Sequence, residues 1–498
     1  MPPATLPFPV TLDPDSKEPL YRQLSDQIRN AILIGQLKSG DFLPATRNLA
    51  DELGISRFTV VESYRALTSQ GYLEAGQGAG SRVSRAMPQV PITPYAPPQK
   101  KSALTSRPTK LSSYGERILS IAPVGAHNPY FTSELNYGGL PVDLLPLTQW
   151  RRKISHYTKA TDSDAFQYSG DPQGYPPLRQ AIAAYISRSR SVKTSAEQVA
   201  VFSGYQPALE CIARLLLNPG DIAVVENPGY VGAGRIFAYQ GARIMPIPVD
   251  EHGLLVAKLH DLVEPPTVIL TTPSLQEPTG VALSLPRRLE LLEYARARDI
   301  YIIEDDYDSE YRYGSRPIPA LQSLDEHDKV IYLTTFRKML YPLVRLAFLV
   351  LPPELVSVVK LAKASVEKDL PMLEQCVLTD FINDGELERH TQKTRAVFNK
   401  SRQMLVQAIA HYFGRKVTIS RENSGTHLLV KFLLPVSDEA IVEAAHTYEL
   451  DLVSTRSSYI DSQVNPGEFL WSFINIPDQG VGRKVGLFAK AIKPATEG

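Results

Sequence analysis

Lys338 stands just after an apolar, strand-like run, Val330–Thr334, and Arg345 follows a few residues later. Asp305 closes a second such run in Ile302-Ile-Glu-Asp-Asp-Tyr-Asp308, with Tyr307 two positions on. Tyr230 ends the stretch Glu226-Asn-Pro-Gly-Tyr just beyond a third run. Ser203-Gly-Tyr-Gln206 lies between a strand pattern and a helix pattern. A lysine amine can form a Schiff base. A carboxylate can keep a pyridine nitrogen protonated, and an aromatic face can cover the ring. Cations, hydroxyls and helix-start N–H groups can hold a phosphate. These are the groups a pyridoxal phosphate site needs, in a workable order along the chain.

Each residue alone has a plainer reading. Lys338 could be a solvated loop lysine, Tyr230 core, and Arg345 half of a surface ion pair. Asp305, beside Glu304, Asp306 and Asp308, could belong to a solvated or metal-binding acidic cluster. The combination carries the weight, because the ends of parallel strands are where an open α/β sheet places its ligands.

The elements that must position these groups alternate. Strand patterns cover Val199–Phe202, Ile222–Val225, Val268–Thr271, Ile300–Glu304, Val330–Thr334 and Leu346–Leu351. Helical stretches such as Pro207–Leu217 and Pro286–Arg298 lie between some of them. This predicts an α/β body with a largely parallel sheet. After about residue 353 the pattern becomes helical, then a small α+β region with a strand near Thr426–Leu433.

Ahead of the body, residues 85–110 carry six prolines and five basic residues without an acid, the composition of an extended tether. A small head precedes it. Leu20, Leu24, Ile28, Ala31 and Ile32 share one helical face. Leu49, Ala50 and Leu53 point inward on a short helix, and Gly54 turns the chain. Ser56 caps a third helix with Val60, Tyr64 and Leu67 inward. Two short strands at Tyr72–Leu73 and Arg82–Val83 flank Gly76, Gly78 and Gly80. This pattern fits a winged helix-turn-helix (α+β) that binds double-stranded DNA. Ser56, Arg57 and Thr59 would face the major groove, Arg47 the phosphates, and Arg82 the adjacent groove or backbone. A helical packing domain with solvated arginines is the plainer alternative. The expected division is 1–84 head, 85–112 linker and 113–498 body.

Length and charge agree with this division. The chain has 498 residues, too many for one ordinary core. Its formal net charge is +0, so any basic surface must be local. Cys211 and Cys376 are the only cysteines and read as buried free thiols. Met1–Glu18 has no signal-peptide core, and no apolar run approaches the ~20 residues of a membrane span. A cytoplasmic protein without a resident metal is expected.

Pro19-Leu-Tyr-Arg-Gln-Leu, Gly40-Asp-Phe-Leu-Pro-Ala-Thr-Arg47, Leu49-Ala-Asp-Glu-Leu-Gly-Ile-Ser-Arg57, Tyr64 and Gly71-Tyr-Leu73 resemble the GntR-type winged helix. Thr272-Pro-Ser-Leu-Gln-Glu-Pro-Thr-Gly280, Ile303-Glu-Asp-Asp-Tyr-Asp-Ser-Glu-Tyr311, Pro319-Ala-Leu-Gln-Ser-Leu324 and Val330-Ile-Tyr-Leu-Thr-Thr-Phe-Arg-Lys338 resemble the MocR subfamily of GntR regulators. Those proteins fuse a winged helix to a fold-type I aminotransferase-like domain. The resemblance implies that Lys338 is the internal aldimine lysine and Asp305 the pyridine-nitrogen partner. It implies that Tyr307 bonds the ring phenolate oxygen and that Tyr230 stacks on the ring. Thr335, Arg345 and the Tyr205 and Gln206 backbone would hold the phosphate. It also implies a head-to-tail homodimer.

The sequence departs from that family at several positions. Phe58 replaces the usual Asn, and either alters base preference or packs inward. Leu275 replaces a His. Glu277 stands where the family has an aromatic residue; its carboxylate must point away, pair with a cation or take up a proton. Arg337 replaces a Ser and would offset Glu277. Leu343 and Ala347 replace glycines and would narrow the phosphate approach. Phe469-Leu-Trp-Ser-Phe473 lacks the arginine that binds a substrate carboxylate, and Arg456 is the nearest upstream alternative. The expected function is a regulator answering to a small amine or amino acid, or to the cofactor itself. The rivals are a working aminotransferase with a vestigial head, and a regulator whose body has lost the cofactor.

Overall fold

The computed structural model describes residues 5–76, 80–86, 110–121, 140–159, 164–167, 170–314, 318–420, 422–450, 452–460, 465–474 and 480–492. The proline-rich segment at 87–109 and the tip at 77–79, with Gly78, lie outside them. The chain divides into two compact units, 1–110 and 111–498.

The first unit contains α1 (Leu20–Leu33), α2 (Thr46–Leu53), α3 (Arg57–Ser69), β1 (Leu73–Gly76) and β2 (Gly80–Val83). Leu24, Ile28, Ala31 and Ile32 are buried along one face of α1, as the helical period requires. Gly54 ends α2 at φ 64°, a left-handed conformation that costs glycine little. The Ser56 hydroxyl oxygen accepts the Thr59 N–H at 3.1 Å and caps α3. Tyr64 anchors α3 by donating its hydroxyl to the Pro44 carbonyl at 3.0 Å. β1 and β2 form an antiparallel hairpin. The helical apolar pattern of the head begins at Leu20, yet Leu6 also joins its core. The segment ahead of α1 is pinned by side chains: Gln27 donates to the Thr11 carbonyl and accepts the Thr11 N–H at 3.0 Å. Such bonds leave no periodic trace in the sequence.

Ser56→Ala should cost α3 about 1 kcal/mol. Hydrogen exchange of the α3 amides in the intact chain should then quicken by about five-fold. Unchanged exchange would show that the cap is not limiting.

The second unit holds an eight-stranded sheet. Its strands are β3 (Val199–Phe202), β4 (Ile222–Asn227), β5 (Arg243–Asp250), β6 (Gly253–Leu254), β7 (Val268–Thr271), β8 (Tyr301–Asp305), β9 (Val330–Thr335) and β10 (Ala347–Val350). The order is β3-β10-β9-β8-β7-β4-β5-β6. The five strands from β9 to β5 are parallel, whereas β10 is antiparallel to both β9 and β3, and β6 to β5. The sheet is therefore mixed. The link from β9 to β10 is too short for a parallel crossover. β5 did not read as a strand because Pro246 and Pro248 interrupt it, and it sits one strand from the edge.

Both faces of the sheet are covered. Val199 and Val201 pack with Leu178, Ile182 and Phe381 from helices on one side. Ala200 and Phe202 pack with Leu209, Ile212 and Val359 on the other. This alternation follows the two-residue period of a strand. Because β4, β7, β8 and β9 are parallel, and β3 points the same way through two antiparallel pairings, all five end at one edge of the sheet.

A second sheet, β11 (Val417–Ile419), β12 (His427–Phe432), β13 (Leu452–Ser454) and β14 (Glu468–Ser472), is antiparallel in the order β11-β12-β14-β13. Its core includes Phe413, Phe432, Trp471 and Phe488. It docks beside the strand ends: the Gly425 N–H donates to the Tyr311 carbonyl at 2.7 Å, and the Gly229 N–H to the Ser458 carbonyl at 2.9 Å. Both cysteines are free thiols. Among the described residues no helix is long and apolar enough to cross a membrane.

Candidate functional site

The common strand edge gathers the residues singled out for chemistry. Asp305, the last residue of β8, is buried. Its Oδ2 accepts the Tyr205 hydroxyl at 2.6 Å. Its Oδ1 is buried without a hydrogen-bond partner. An orphaned carboxylate oxygen is costly unless a donor from outside the chain completes it. Burial, then the nearby Asp306, Glu226 and Glu277, push its carboxyl up to about 8, against the Tyr205 hydrogen bond. A positively charged N–H placed on Oδ1 would restore the ionised form.

Tyr205 starts the helix Tyr205–Leu216. Pro207 has no N–H, and the Ala208 N–H reaches back to the Gly204 carbonyl at 3.3 Å. The Tyr205 and Gln206 amides therefore open the helix, where a phosphate is favoured. Tyr205 meets Tyr230 edge-on at 5.7 Å, and Gln206 donates to the Tyr230 hydroxyl at 3.1 Å. A Cβ on Gly204 would stand 3.5 Å from the Arg345 carbonyl and 3.7 Å from Arg345 Nε. Arg345, exposed, thus lies beside the helix start. Thr335 ends β9; its hydroxyl donates to the Leu346 carbonyl at 3.2 Å and accepts the Arg337 N–H at 3.1 Å.

Lys338 follows in the one-turn helix Arg337–Leu340, its Nζ 5.9 Å from the centre of the Tyr307 ring. The Tyr307 hydroxyl donates to Glu277 Oε2 at 2.5 Å. Glu277 therefore turns toward Tyr307 rather than away from the site. Arg337 does not offset it: its guanidinium is exposed and lies 5.0 Å from the centre of the Tyr341 ring. Leu343 packs against the cores on both sides, and Ala347 sits in β10 opposite Phe202 and Thr335. Arg456 is held by Asp438 at 3.5 Å and Glu439 at 3.4 Å, which gives it a local structural partner in the smaller sheet region.

The acidic run resolves residue by residue. Glu304 accepts the Leu321 and Gln322 amides at 2.7 and 2.8 Å. Asp306 pairs with Arg190 at 2.7 Å, and Asp308 accepts the Thr426 hydroxyl at 3.1 Å. No cluster able to hold a metal occurs among the described residues. Sequence reasoning missed two features: the Tyr205 side chain on Asp305, and buried Glu226 beneath the site. Glu226 accepts the Thr271 hydroxyl at 2.6 Å and the Thr272 hydroxyl at 2.5 Å. Neither pairing has a local signal, because each joins elements far apart in the sequence.

The raised carboxyls set a pH dependence. Burial holds Glu304 up to about 7 and Glu310 up to about 8, alongside Asp305. Unfolded, each titrates near pH 4. Between those values the folded chain binds more protons, so stability falls as pH rises. The melting temperature of cofactor-free protein should drop from about pH 5 to pH 8. The drop should be shallower in Asp305→Asn; an identical slope would remove Asp305 from the titrating set.

In the first unit, Arg47, Ser56 and Arg57 are exposed and Thr59 is half-buried. Ser56 and Thr59 hydroxyls bond each other at 2.8 Å. Arg57 reaches Thr46 at 3.4 Å. Arg82 is held by Glu74 at 3.1 Å, so it must leave an internal partner to reach a phosphate. Phe58 does not pack inward: it is 73% exposed.

Comparison with known proteins matches both units. The model for bacterial regulatory proteins of the gntR family matches residues 20–83, and that for aminotransferase class I and II matches 134–442. The "Probable rhizopine catabolism regulatory protein MocR" of Rhizobium meliloti is 34% identical, over 93% of this chain and 91% of that protein. The pyridoxine biosynthesis transcriptional regulator PdxR of Corynebacterium glutamicum is 30% identical, over 80% of each. Among solved structures, the alpha-aminoadipate aminotransferase LysN of Thermus thermophilus, complexed with N-(5'-phosphopyridoxyl)-L-leucine, superposes with a TM-score of 0.67. It is 25% identical and covers 76% of this chain and 96% of that one.

Proposed function

This chain belongs to the MocR-type regulators, a GntR head joined to a class I and II aminotransferase domain, and from that premise we propose how its parts work together. It is a transcriptional regulator that reads DNA through the head and binds pyridoxal phosphate in the body. The observation that carries the cofactor reading is the buried, unpartnered Oδ1 of Asp305 at the strand edge that also bears Lys338. When bound, the cofactor supplies an electron-withdrawing ring and an aldehyde that takes up amines. Lys338 would be its covalent anchor and Asp305 the partner of its ring nitrogen. The Tyr205 hydroxyl orients Asp305 by occupying Oδ2. Tyr230 would cover the ring. The Tyr205 and Gln206 amides, Thr335 and Arg345 would hold the phosphate. Tyr307, already bonded to Glu277, would face the phenolate oxygen.

The head would place Arg57 and the start of α3 in the major groove, with Arg47 and Arg82 on the backbone. The working form is a cytoplasmic head-to-tail homodimer. Its effector is a small amine or amino acid, or the cofactor itself. That signal acts only if it binds two dimer arrangements with different affinity. Glu277 and the paired Arg456 weigh against efficient amino-acid turnover, the rival activity.

The test is one preparation read twice. Full-length protein is titrated with pyridoxal phosphate and followed by visible absorbance, then tested for retention of selected duplexes against random competitor across salt concentrations. A saturable coloured complex and a preferred duplex are expected. A colourless protein with no duplex preference would end the reading.

A further inference from the structure

The exposed face of α3 carries an apolar pair. Phe58 is 73% exposed and Val61 38%, one turn apart, Phe58 opposite the buried Val60, Tyr64 and Leu67 and Val61 at the margin of that buried face. Phe58 is the most exposed large apolar side chain of the first unit among its described residues. Arg57 stands beside the pair. Arg65 follows one turn later, its side chain 79% exposed and 3.6 Å from Glu62. A lone exposed apolar residue needs no explanation. Two on successive turns between cations, at the start of the helix that a GntR head lays in the major groove, do.

We infer that Phe58 and Val61 read thymine. The major-groove edge offers one apolar feature, the C5-methyl group of thymine. Hydrogen-bonding edges would be desolvated against a phenyl ring without a partner, so the pair also disfavours guanine and cytosine there. Arg65 would hold a flanking phosphate, with Arg57 beside the pair in the groove, and leave the pair over the base edges. This rests on the DNA-binding reading above and adds what the helix recognises.

Deoxyuridine differs from thymidine by that methyl alone, which makes the inference directly testable. Full-length protein is used to select duplexes from a random pool, and each thymine of the winning half-site is then replaced singly by deoxyuridine. Wild type should lose about four-fold at one or two thymines per half-site, the worth of one buried methyl. A double variant carrying Phe58→Ala and Val61→Ala, both at exposed positions, should keep the salt slope but no longer distinguish uracil from thymine. Wild-type binding that ignores every methyl would overturn the inference while leaving the regulator intact. Discrimination that persists in the double variant would overturn it too, as would a variant that changes only the oligomeric state. Failure to select any duplex would instead remove the DNA-reading head, and this inference with it.

Discussion

Lys338→Ala is expected to abolish covalent retention of pyridoxal phosphate. After borohydride reduction, wild-type protein should carry the cofactor's mass on the peptide containing residue 338. The variant should carry none, and its visible absorbance should vanish. The backbone bond at this residue does not depend on the side chain: the 338 carbonyl accepts the Tyr311 hydroxyl at 3.2 Å. The competing amine is Lys363. Burial lowers its pKa, the direction that favours a nucleophilic amine. It lies 5.2 Å from the Phe202 ring centre, close behind the 203–206 turn. It is paired with Glu367 at 3.1 Å, and Glu367 also accepts the Ser203 N–H at 3.0 Å. That pairing commits Lys363 to holding the turn. An adduct mapped to Lys363 in the wild type would refute the assignment of Lys338.

Asp306→Ala is expected to be the most damaging single change in the body outside the site. Arg190 and Asp306 are both buried and meet through two hydrogen bonds, 2.7 and 3.1 Å. Arg190 also donates to the Ser274 hydroxyl at 2.7 Å, and Asp306 accepts the Tyr332 hydroxyl at 2.6 Å. Removing the carboxylate strands a cation that burial already penalises. Breaking such a pair costs about 3–5 kcal/mol, far above the ~1 kcal/mol ceiling of an exposed pair. The denaturation midpoint of the body should fall accordingly, with Asp306→Asn between the two. A loss below about 1 kcal/mol would mean that water or a neighbouring carboxylate replaces Asp306 at the guanidinium.

Local order was legible in the sequence wherever a period or a cap expresses it. The buried face of α1, the Ser56 cap and the Gly54 turn follow from side-chain type and spacing, because helix geometry repeats over a few residues. Six strands of the large sheet were legible for the same reason, and β5 was not, because its prolines mask a position near the sheet edge. The types of the site residues were legible too: a lysine, an aspartate and tyrosines at strand ends belong to one chemistry. Their partners were not. Tyr205 reaches Asp305 across 100 positions, and Tyr307 reaches Glu277 across 30. Arg337 was expected beside Glu277, and a tyrosine hydroxyl meets it there. Phe58 could equally have been core or surface on spacing alone, and only the packing of α3 left it outside. Periodicity is a property of neighbours in the chain, so the sequence by itself determined the elements and the chemical kinds they carry. Which carboxylate keeps an orphaned oxygen, and which meets a hydroxyl or a guanidinium, depends on distances between elements far apart in the chain, and only the tertiary structure decided them.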